Sequence, residues 1–201
     1  MGKKLIIGMS GATGAIYGIR MLEVLKDTDV ETHLVMSKAA EKTIQLETDY
    51  EVAYVKDLAD CVYDILNVGA AIASGSFETV GMVVAPCSVK TLSGIANSFD
   101  TNLLIRAADV ALKERRRLVL LVRETPFHKG HLRLMQQAAD MGAILAPPVP
   151  AFYNRPQTLD DIINQSVGRT LNFFDIKLDL YKRWTMEDGE RAKALLNKEN
   201  G

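Results

Sequence analysis

A glycine-rich segment directly after the first apolar run is the feature that most constrains this chain. Leu5-Ile6-Ile7 leads into GMSGATGAIYG at residues 8–18, which opens a helical pattern. A strand, a small-residue turn and a helix N-terminus make an anion site, because free backbone N–H groups and the positive end of the helix dipole face the turn. Glycines also let a phosphate approach the backbone closely. The segment predicts either a site for a phosphorylated cofactor or a turn that needs small residues for close packing.

The spacing of these glycines narrows the choice of cofactor. They lie at positions 8, 11 and 14, which gives G-x-x-G-x-x-G rather than the G-x-G-x-x-G of dinucleotide sites. The second apolar run ends in Ser37-Lys38, where NAD enzymes need an acid for the ribose hydroxyls. Lys90-Thr91 resembles the end of a P-loop, but the residues just before it lack glycine, which disfavours an ATPase. A mononucleotide such as FMN remains.

Composition indicates one ordinary globular domain. The chain has 201 residues, of which 48% are apolar and 24% charged, enough for one full-sized core. We assign residues 1–185 to a single FMN-binding α/β domain and residues 186–201 to a polar C-terminal tail. The formal net charge of −1 disfavours nucleic acid and anionic membranes as partners. No apolar stretch reaches the roughly 18 residues that span a bilayer, and the start reads as a strand rather than a signal peptide, so we expect a cytoplasmic location.

Short apolar runs alternate with longer helical patterns, which is typical of a parallel α/β sheet. The predicted strands are residues 5–9, 32–36, 82–85, 118–122 and 143–145. The predicted helices are residues 15–26, 38–46, 55–66, 88–97, 102–114, 129–141 and 158–180. We therefore predict a doubly wound, mostly parallel sheet with helices on both faces, of the Rossmann-like or flavodoxin-like kind.

Hydroxyl-rich or charged segments follow four of the predicted strands. They are residues 10–14, Ser37, residues 86–91 and residues 123–126. Ligands of a doubly wound sheet bind beyond the carboxyl ends of its strands, so we expect these segments to converge on one crevice. Serine and threonine there can donate to phosphate or ribityl oxygens, although each also fits an ordinary helix N-cap.

Ordered sequence blocks run through nearly the whole chain, among them GATGAIYGIR at 11–20 and VRETP at 122–126. The other blocks are residues 36–40, 46–49, 73–77, 85–88, 106–110, 113–116 and 148–153. Together they resemble the UbiX-type flavin prenyltransferases, which make prenylated FMN for partner decarboxylases. Thr13 stands where many relatives carry serine, so a hydroxyl is kept. The decarboxylase-associated paralogues of hydroxyarylic acid operons look much alike, and the sequence does not separate the two groups.

The resemblance implies a role for each matching residue. It implies that reduced FMN, the acceptor substrate, is held by Gly11, Ala12, Thr13, Ser37, Ser88, Val89, Lys90, Thr91 and Arg123. It implies that Tyr153 and Arg169 bind the phosphate of dimethylallyl monophosphate, together with Lys113 and Arg106. The active-site acids are then Glu47 and Glu124, which form the catalytic set with Lys113 and Arg106. The family further implies transfer of dimethylallyl to N5 and C6 of the flavin, a UbiD-type decarboxylase as recipient, and a homododecamer with sites at subunit junctions.

These residue types suit the separation of an allyl cation from a phosphate, because cationic and hydroxyl donors stabilise the leaving group and a carboxylate can move protons. Two alternatives stay open. An FMN-dependent decarboxylase of the cysteine-peptide type is weakened by the lack of a histidine in the first turn, and a non-catalytic FMN carrier or accessory subunit would leave the flavin unchanged. No metal is expected, since His128 and His131 share a helix face without a further ligand at suitable spacing.

Overall fold

One six-stranded sheet organises the computed structural model, which describes residues 2–199. Its strands are β1 (Lys4–Met9), β2 (Glu31–Met36), β3 (Cys61–Tyr63), β4 (Gly81–Cys87), β5 (Arg117–Val122) and β6 (Ile144–Leu145). The strand order is β3-β2-β1-β4-β5-β6, and every neighbouring pair is parallel. The predicted doubly wound sheet is confirmed. The order reverses between β1 and β4, which places the expected ligand crevice beyond their carboxyl ends.

Helices cover both faces of the sheet. They are α1 (Ala15–Leu25), α2 (Lys38–Glu47), α3 (Val52–Asp57), α4 (Val89–Ala96), α5 (Leu103–Lys113), α6 (Lys129–Asp140), α7 (Leu159–Asn172) and α8 (Met186–Glu199). One apolar core lies between the sheet and α1, α2, α3 and α7, and the other lies between the sheet and α4, α5 and α6. Leu5 and Ile7 enter the first core and Ile6 the second, because successive strand side chains point to opposite faces. This explains why the strands read as continuous apolar runs.

The predicted helix over residues 55–66 is wrong beyond its first three residues. There, α3 ends early and the chain forms the short edge strand β3, which pairs with β2. Asp60 fixes the change of direction, because its Oδ2 accepts hydrogen bonds from the Thr32 backbone N–H at 2.7 Å and the Thr32 hydroxyl at 2.9 Å. Pairing with a distant strand thus overrides a local helical pattern.

The predicted helix over residues 158–180 starts as expected but is too long. Thr158 and Asp161 form a capping box at its start, with reciprocal hydrogen bonds of 3.1 and 2.9 Å. The helix α7 ends at residue 172, and Phe174 then turns into the core with 1% of its surface exposed. Burial of this large ring favours ending the helix over continuing it.

The predicted tail at residues 186–201 contains α8, while residues 200 and 201 lie outside the described part of the chain. The proposed boundary at residue 185 stays a prediction. Among the helices described over residues 2–199, none is long and apolar enough to cross a bilayer.

Candidate active site

Ser10 joins the carboxyl ends of β1 and β4 at the point where the strand order reverses. Its hydroxyl donates to the Pro86 carbonyl at 2.9 Å and accepts from the Ser88 backbone N–H at 2.7 Å. The residue is 1% exposed, so these two bonds satisfy a fully buried hydroxyl. The loops after the two central strands are therefore fixed to each other at the base of the crevice.

Gly11 and Gly14 are both required by the turn after β1. A Cβ on Gly11 would lie 2.3 Å from the Ala39 Cβ, so the turn packs directly on the first residues of α2. Gly14 has φ 95°, a left-handed conformation that favours glycine, and is the N-cap of α1. Its N–H donates to Glu47 Oε2 at 2.8 Å. Gly11 is therefore needed for close packing, which is one of the two interpretations of the glycine pattern.

Free backbone donors remain at this turn and at the start of α4. In the part of the chain that the structure describes, the N–H groups of Gly11, Thr13, Val89 and Lys90 bond to no protein acceptor. Free N–H groups at a helix N-terminus form an anion site, and α4 points its N-terminus at the crevice. These donors fit the phosphate of a mononucleotide, which is the second reading of the glycine pattern.

Ser37 and Ser88 are N-caps, of α2 and α4 respectively. Ser37 Oγ accepts from the Ala40 N–H at 3.1 Å, and Ser88 Oγ accepts from the Thr91 N–H at 3.3 Å. The Ser88 hydroxyl hydrogen is directed to Thr91 Oγ1 at 3.1 Å. The Ser37 hydroxyl hydrogen has no acceptor among residues 2–199, so Ser37 can cap its helix and still donate to a ligand.

A cavity of about 530 Å³ lies beyond the carboxyl ends of β1, β5 and β6. Its walls include three of the predicted site residues, Thr13, Arg123 and Glu124. The remaining lining residues are Gly14, Ile16, Tyr17, Val122, Thr125, Phe127, Pro147, Pro148, Val149, Leu159 and Ile163. The cavity therefore has one charged side, one hydroxyl side and an apolar remainder, and it adjoins the free N–H groups of the first turn.

The ionisable side chains of the cavity wall are Tyr17, Arg123 and Glu124. Burial raises the pKa of the Tyr17 phenol, and the positive charge of Arg123 opposes that rise. Glu124 is partly buried, and its Oε1 accepts from the Thr125 backbone N–H at 2.9 Å. A guanidinium and a carboxylate on consecutive residues thus face a space that is large enough for a small organic ligand.

Arg106 and Lys113, both on α5, do not line this cavity of their own chain. Arg106 Nη1 lies 3.1 Å from Asp100 Oδ2, and its Nε donates to the Ala73 carbonyl at 3.3 Å. Lys113 is the last residue of α5, pairs with Glu114, and precedes the start of β5. It therefore lies at the amino edge of the sheet, a strand's length from the crevice.

Tyr153 and Arg169 also lie apart from the cavity. Tyr153 is half-exposed and contacts Trp184 edge to face, with 5.7 Å between ring centroids. Arg169 is exposed, with its guanidinium 4.8 Å from the centre of the Phe173 ring. Ten residues of α7 separate it from Leu159 at the cavity, which corresponds to about 15 Å. Within one chain, Thr13, Arg123 and Glu124 line the cavity, and Glu47 is bonded to the adjoining turn through Gly14. Ser37 and residues 88–91 lie at neighbouring strand ends without lining the cavity, and the expected phosphate residues lie on other surfaces.

Two residues with clear roles in this geometry were missing from the predicted site. Ser10 could have been found as a hydroxyl that directly follows a buried strand, since such a position needs a partner. Tyr17 lies one helical turn after Gly14, on the face of α1 that lines the cavity. The proline-rich stretch at 146–150 leaves the sheet after β6, and Pro147, Pro148 and Val149 contribute to the cavity wall.

Comparison with known sequences gives close relatives over nearly the whole chain. Residues 1–168 match the family model described as Flavoprotein. The flavin prenyltransferase UbiX of Thauera aromatica is 65% identical over 192 residues, which cover 95% of this chain and 99% of that protein. The flavin prenyltransferase UbiX of Escherichia coli K12 is 63% identical over 185 residues, which cover 90% of this chain and 98% of that protein.

Solved structures agree with the sequence comparison. The crystal structure of AnUbiX (PadA1) in complex with FMN and dimethylallyl pyrophosphate matches with a TM-score of 0.91 and 50% identity, covering 92% of this chain and 98% of that chain. The dodecameric FMN-dependent Ubix-like decarboxylase from Escherichia coli O157:H7 matches with a TM-score of 0.88 and 49% identity, covering 90% and 99%. The peptidyl-cysteine decarboxylase EpiD, at 19% identity and a TM-score of 0.61, shares the fold alone.

Proposed function

The chain belongs to the Flavoprotein family and, within it, to the UbiX-type flavin prenyltransferases, and from this membership we propose the reaction that it catalyses. It transfers a dimethylallyl group from dimethylallyl monophosphate to N5 and C6 of reduced FMN, and it passes prenylated FMN to a UbiD-type decarboxylase. The observation that carries this proposal is the match to AnUbiX (PadA1), a protein solved with FMN and dimethylallyl pyrophosphate.

The crevice at the strand reversal holds the flavin mononucleotide. Free N–H groups at the turn after β1 and at the start of α4 bind its phosphate, and the Arg123 guanidinium adds positive charge. The Ser37 hydroxyl, which has a free hydrogen, donates to the same ligand. The full set of FMN residues that we propose is Gly11, Ala12, Thr13, Ser37, Ser88, Val89, Lys90, Thr91 and Arg123.

The apolar part of the cavity receives the dimethylallyl group. Ile16, Phe127 and Leu159 line that part, and their apolar surface suits a branched hydrocarbon. Reduced FMN supplies the nucleophilic positions N5 and C6. Bond formation at N5 releases the phosphate and the N5 proton. Closure onto C6 then consumes the prenyl double bond, which takes up a proton, and C6 releases its own proton; Glu124 is the carboxylate in the cavity wall that can relay these protons. Glu47 acts through its hydrogen bond to Gly14, which orients the turn after β1.

Neighbouring subunits supply the donors for the leaving phosphate. Arg106, Lys113, Tyr153 and Arg169 lie outside the cavity of their own chain, and Tyr153 and Arg169 are exposed. A homododecamer, the form of the matching Escherichia coli O157:H7 structure, would bring such surfaces to the cavity of an adjacent copy. There, their charges stabilise the negative charge that develops on the leaving phosphate.

The transfer of product to a decarboxylase is tested by reconstitution. A UbiD-type decarboxylase prepared without prenylated flavin is mixed with this protein, FMN, a reductant and dimethylallyl monophosphate, and decarboxylation is measured. We expect activity in the complete mixture only, and little with Glu124→Gln. Activation by FMN without the dimethylallyl donor would contradict the proposal.

We further propose a cytoplasmic location, since Cys61 and Cys87 are free thiols and a reducing compartment preserves them.

A further inference from the structure

His33 is a buried side chain in the middle of β2 whose imidazole ring is only half satisfied. The residue is 1% exposed, and its Nδ1 lies 3.0 Å from the Tyr63 hydroxyl on the neighbouring strand. Its Nε2 is buried and makes no hydrogen bond to any described residue. Glu31 Oε1 lies 3.1 Å from this nitrogen but lacks hydrogen-bond geometry. A buried imidazole nitrogen that has this contact with a carboxylate but no hydrogen bond can take a further partner.

Two further side chains of metal-ligand type surround that nitrogen. Cys61 is the register partner of His33 across the β2–β3 pair, and Glu31 lies two residues before His33 on the same face of the sheet. One ligand atom from each of the three side chains lies within 4.8 Å of the other two. Ligand atoms around a tetrahedral zinc ion are about 3 to 4 Å apart, so small side-chain adjustments would complete the geometry.

We propose that Glu31, His33 and Cys61 form a binding site for a zinc-type divalent cation, with a water molecule as the fourth ligand. Imidazole nitrogen, thiolate sulfur and carboxylate oxygen are ligands that zinc accepts together, whereas magnesium and calcium prefer oxygen alone. The site lies in the first half of β2, and the flavin crevice lies beyond the carboxyl ends of the strands. Its role is to fasten the short edge strand β3 to the sheet, separately from catalysis, and it departs from the expectation that the chain holds no metal.

The surroundings of the cluster both support and weaken cation binding. Tyr63 holds the Nδ1 side of the His33 ring, which leaves Nε2 to face the cation. Cys61 and Glu31 are partly exposed, so a cation can enter from solvent, and binding releases the Cys61 thiol proton. Lys4 Nζ lies 3.4 Å from Glu31 Oε2 and competes for the carboxylate. Removal of this ammonium should therefore strengthen cation binding.

Cobalt is a direct probe, because a thiolate bound to Co²⁺ gives a charge-transfer absorption band. Untagged protein is freed of metal with a chelator and titrated with Co²⁺ and then with Zn²⁺. We expect one Co²⁺ per chain, the thiolate band, and its loss when Zn²⁺ displaces cobalt. Cys61→Ala should remove the band and lower zinc affinity by at least about 100-fold, since even losing an outer partner of a metal ligand can reduce affinity that much.

Two further variants separate this site from other causes. Cys87→Ala removes the other cysteine and should leave the band and the zinc affinity unchanged. Lys4→Gln keeps all three ligands and should tighten zinc binding, while zinc should raise the melting temperature of the wild type but not of Cys61→Ala. Absence of the thiolate band in the wild type, its persistence in Cys61→Ala, or equal zinc affinity in wild type and Cys61→Ala would each overturn the proposal.

Discussion

Glu47, the last residue of α2, accepts a 2.8 Å hydrogen bond from the backbone N–H of Gly14, the residue that caps α1. The carboxylate thus lies at the positive end of the α1 dipole, where negative charge is favourable. The bond ties the start of α1 to the end of α2 at the mouth of the flavin crevice. We therefore expect Glu47 to position the turn through this bond between its carboxylate and the backbone.

This relationship separates two substitutions at Glu47. Glu47→Gln retains an oxygen that can accept the Gly14 bond, so FMN affinity should stay within about threefold of the wild type. Glu47→Ala removes the acceptor and should weaken FMN binding and lower stability by about 1 kcal/mol, as loss of a helix cap does. Fluorescence titration of FMN and chemical denaturation measure the two effects. Equal losses of FMN affinity in both variants would contradict a positioning role.

Ser10→Ala should damage the base of the crevice. The variant leaves the Ser88 backbone N–H without its buried acceptor, which typically reduces stability by about 1 to 3 kcal/mol. FMN binding should weaken as well, because the loops after β1 and β4 lose their link. Ser93→Ala, in the middle of α4, is the matched control and should change neither property. Urea denaturation at fixed protein concentration measures the stability of both variants. Equal stability of Ser10→Ala and Ser93→Ala would contradict the prediction.

Glu41 predicts a pH dependence of stability. A hydrogen bond from Lys56, with Lys38 also contributing, lowers the pKa of the Glu41 carboxyl below its ordinary value. A depressed pKa adds stability above the unfolded-state pKa of about 4.3, and that stability is lost as the pH falls through the folded-state value. Glu41→Gln should therefore destabilise the protein at pH 7. The effect should not exceed about 1 kcal/mol, because the lysines are solvent-exposed and water screens their charge. The stability difference between wild type and variant should disappear in acid.

The control for Glu41 is Glu51→Gln, because Glu51 precedes α3 without a side-chain cap bond. Denaturation of wild type and both variants across the acid range gives the comparison. A stability difference between wild type and Glu41→Gln that stays constant with pH would show that the carboxylate charge is not responsible.

Cys87 should be chemically inert in the folded protein. It is fully buried, and burial raises the pKa of its thiol to about 12. The thiolate that a nucleophile requires is therefore strongly disfavoured near neutral pH. Ellman's reagent should modify the partly exposed Cys61 in native protein freed of metal and reach Cys87 only after denaturation. Equal rates for both thiols in native protein would contradict this account.

The proposed sharing of the site between subunits predicts recovery of activity in mixed oligomers. Arg169→Ala and Glu124→Gln should each be nearly inactive alone. In oligomers assembled from equal amounts of both, about a quarter of the junctions combine an intact Arg169 from one subunit with an intact Glu124 from another, and activity should recover accordingly. Mixing Arg123→Ala with Glu124→Gln is the control and should restore nothing, because both residues line the cavity of the same chain. No recovery in the first mixture would place the whole site in one chain.

The sequence predicts those parts of the structure that depend on local pattern. Apolar runs identify the central strands, and the segment around Gly11 identifies the turn at the crevice, because strand, turn and helix are contiguous there. The edge strand β3 and the end of α7 are not predicted, because each depends on a contact with a distant part of the chain. Asp60 bonds to Thr32 before β3, and Phe174 packs into the core after α7. The link from Ser10 to Ser88 is also long-range.

The proposed site likewise has a part that the local sequence pattern predicts and a part that it does not. Residues next to strand ends, such as Thr13, Arg123 and Glu124, meet in one chain because parallel strands end at one edge of the sheet. Arg106 and Lys113 are carried on the side of α5, and no local pattern shows what faces that surface. The role that we propose for them requires a second copy of the chain, and a single sequence does not encode such an association in any short-range pattern.

The central claim is that the chain changes its flavin covalently, and mass spectrometry of the flavin tests this most directly. Purified protein is incubated without oxygen with FMN, dithionite and dimethylallyl monophosphate, or with the diphosphate in a parallel sample, and the flavin is then extracted. We predict a mass increase of one isoprenyl unit, strongly reduced in Glu124→Gln. Recovery of unmodified FMN from protein shown to bind it, with both donors, would contradict the account and identify a non-catalytic flavin carrier instead.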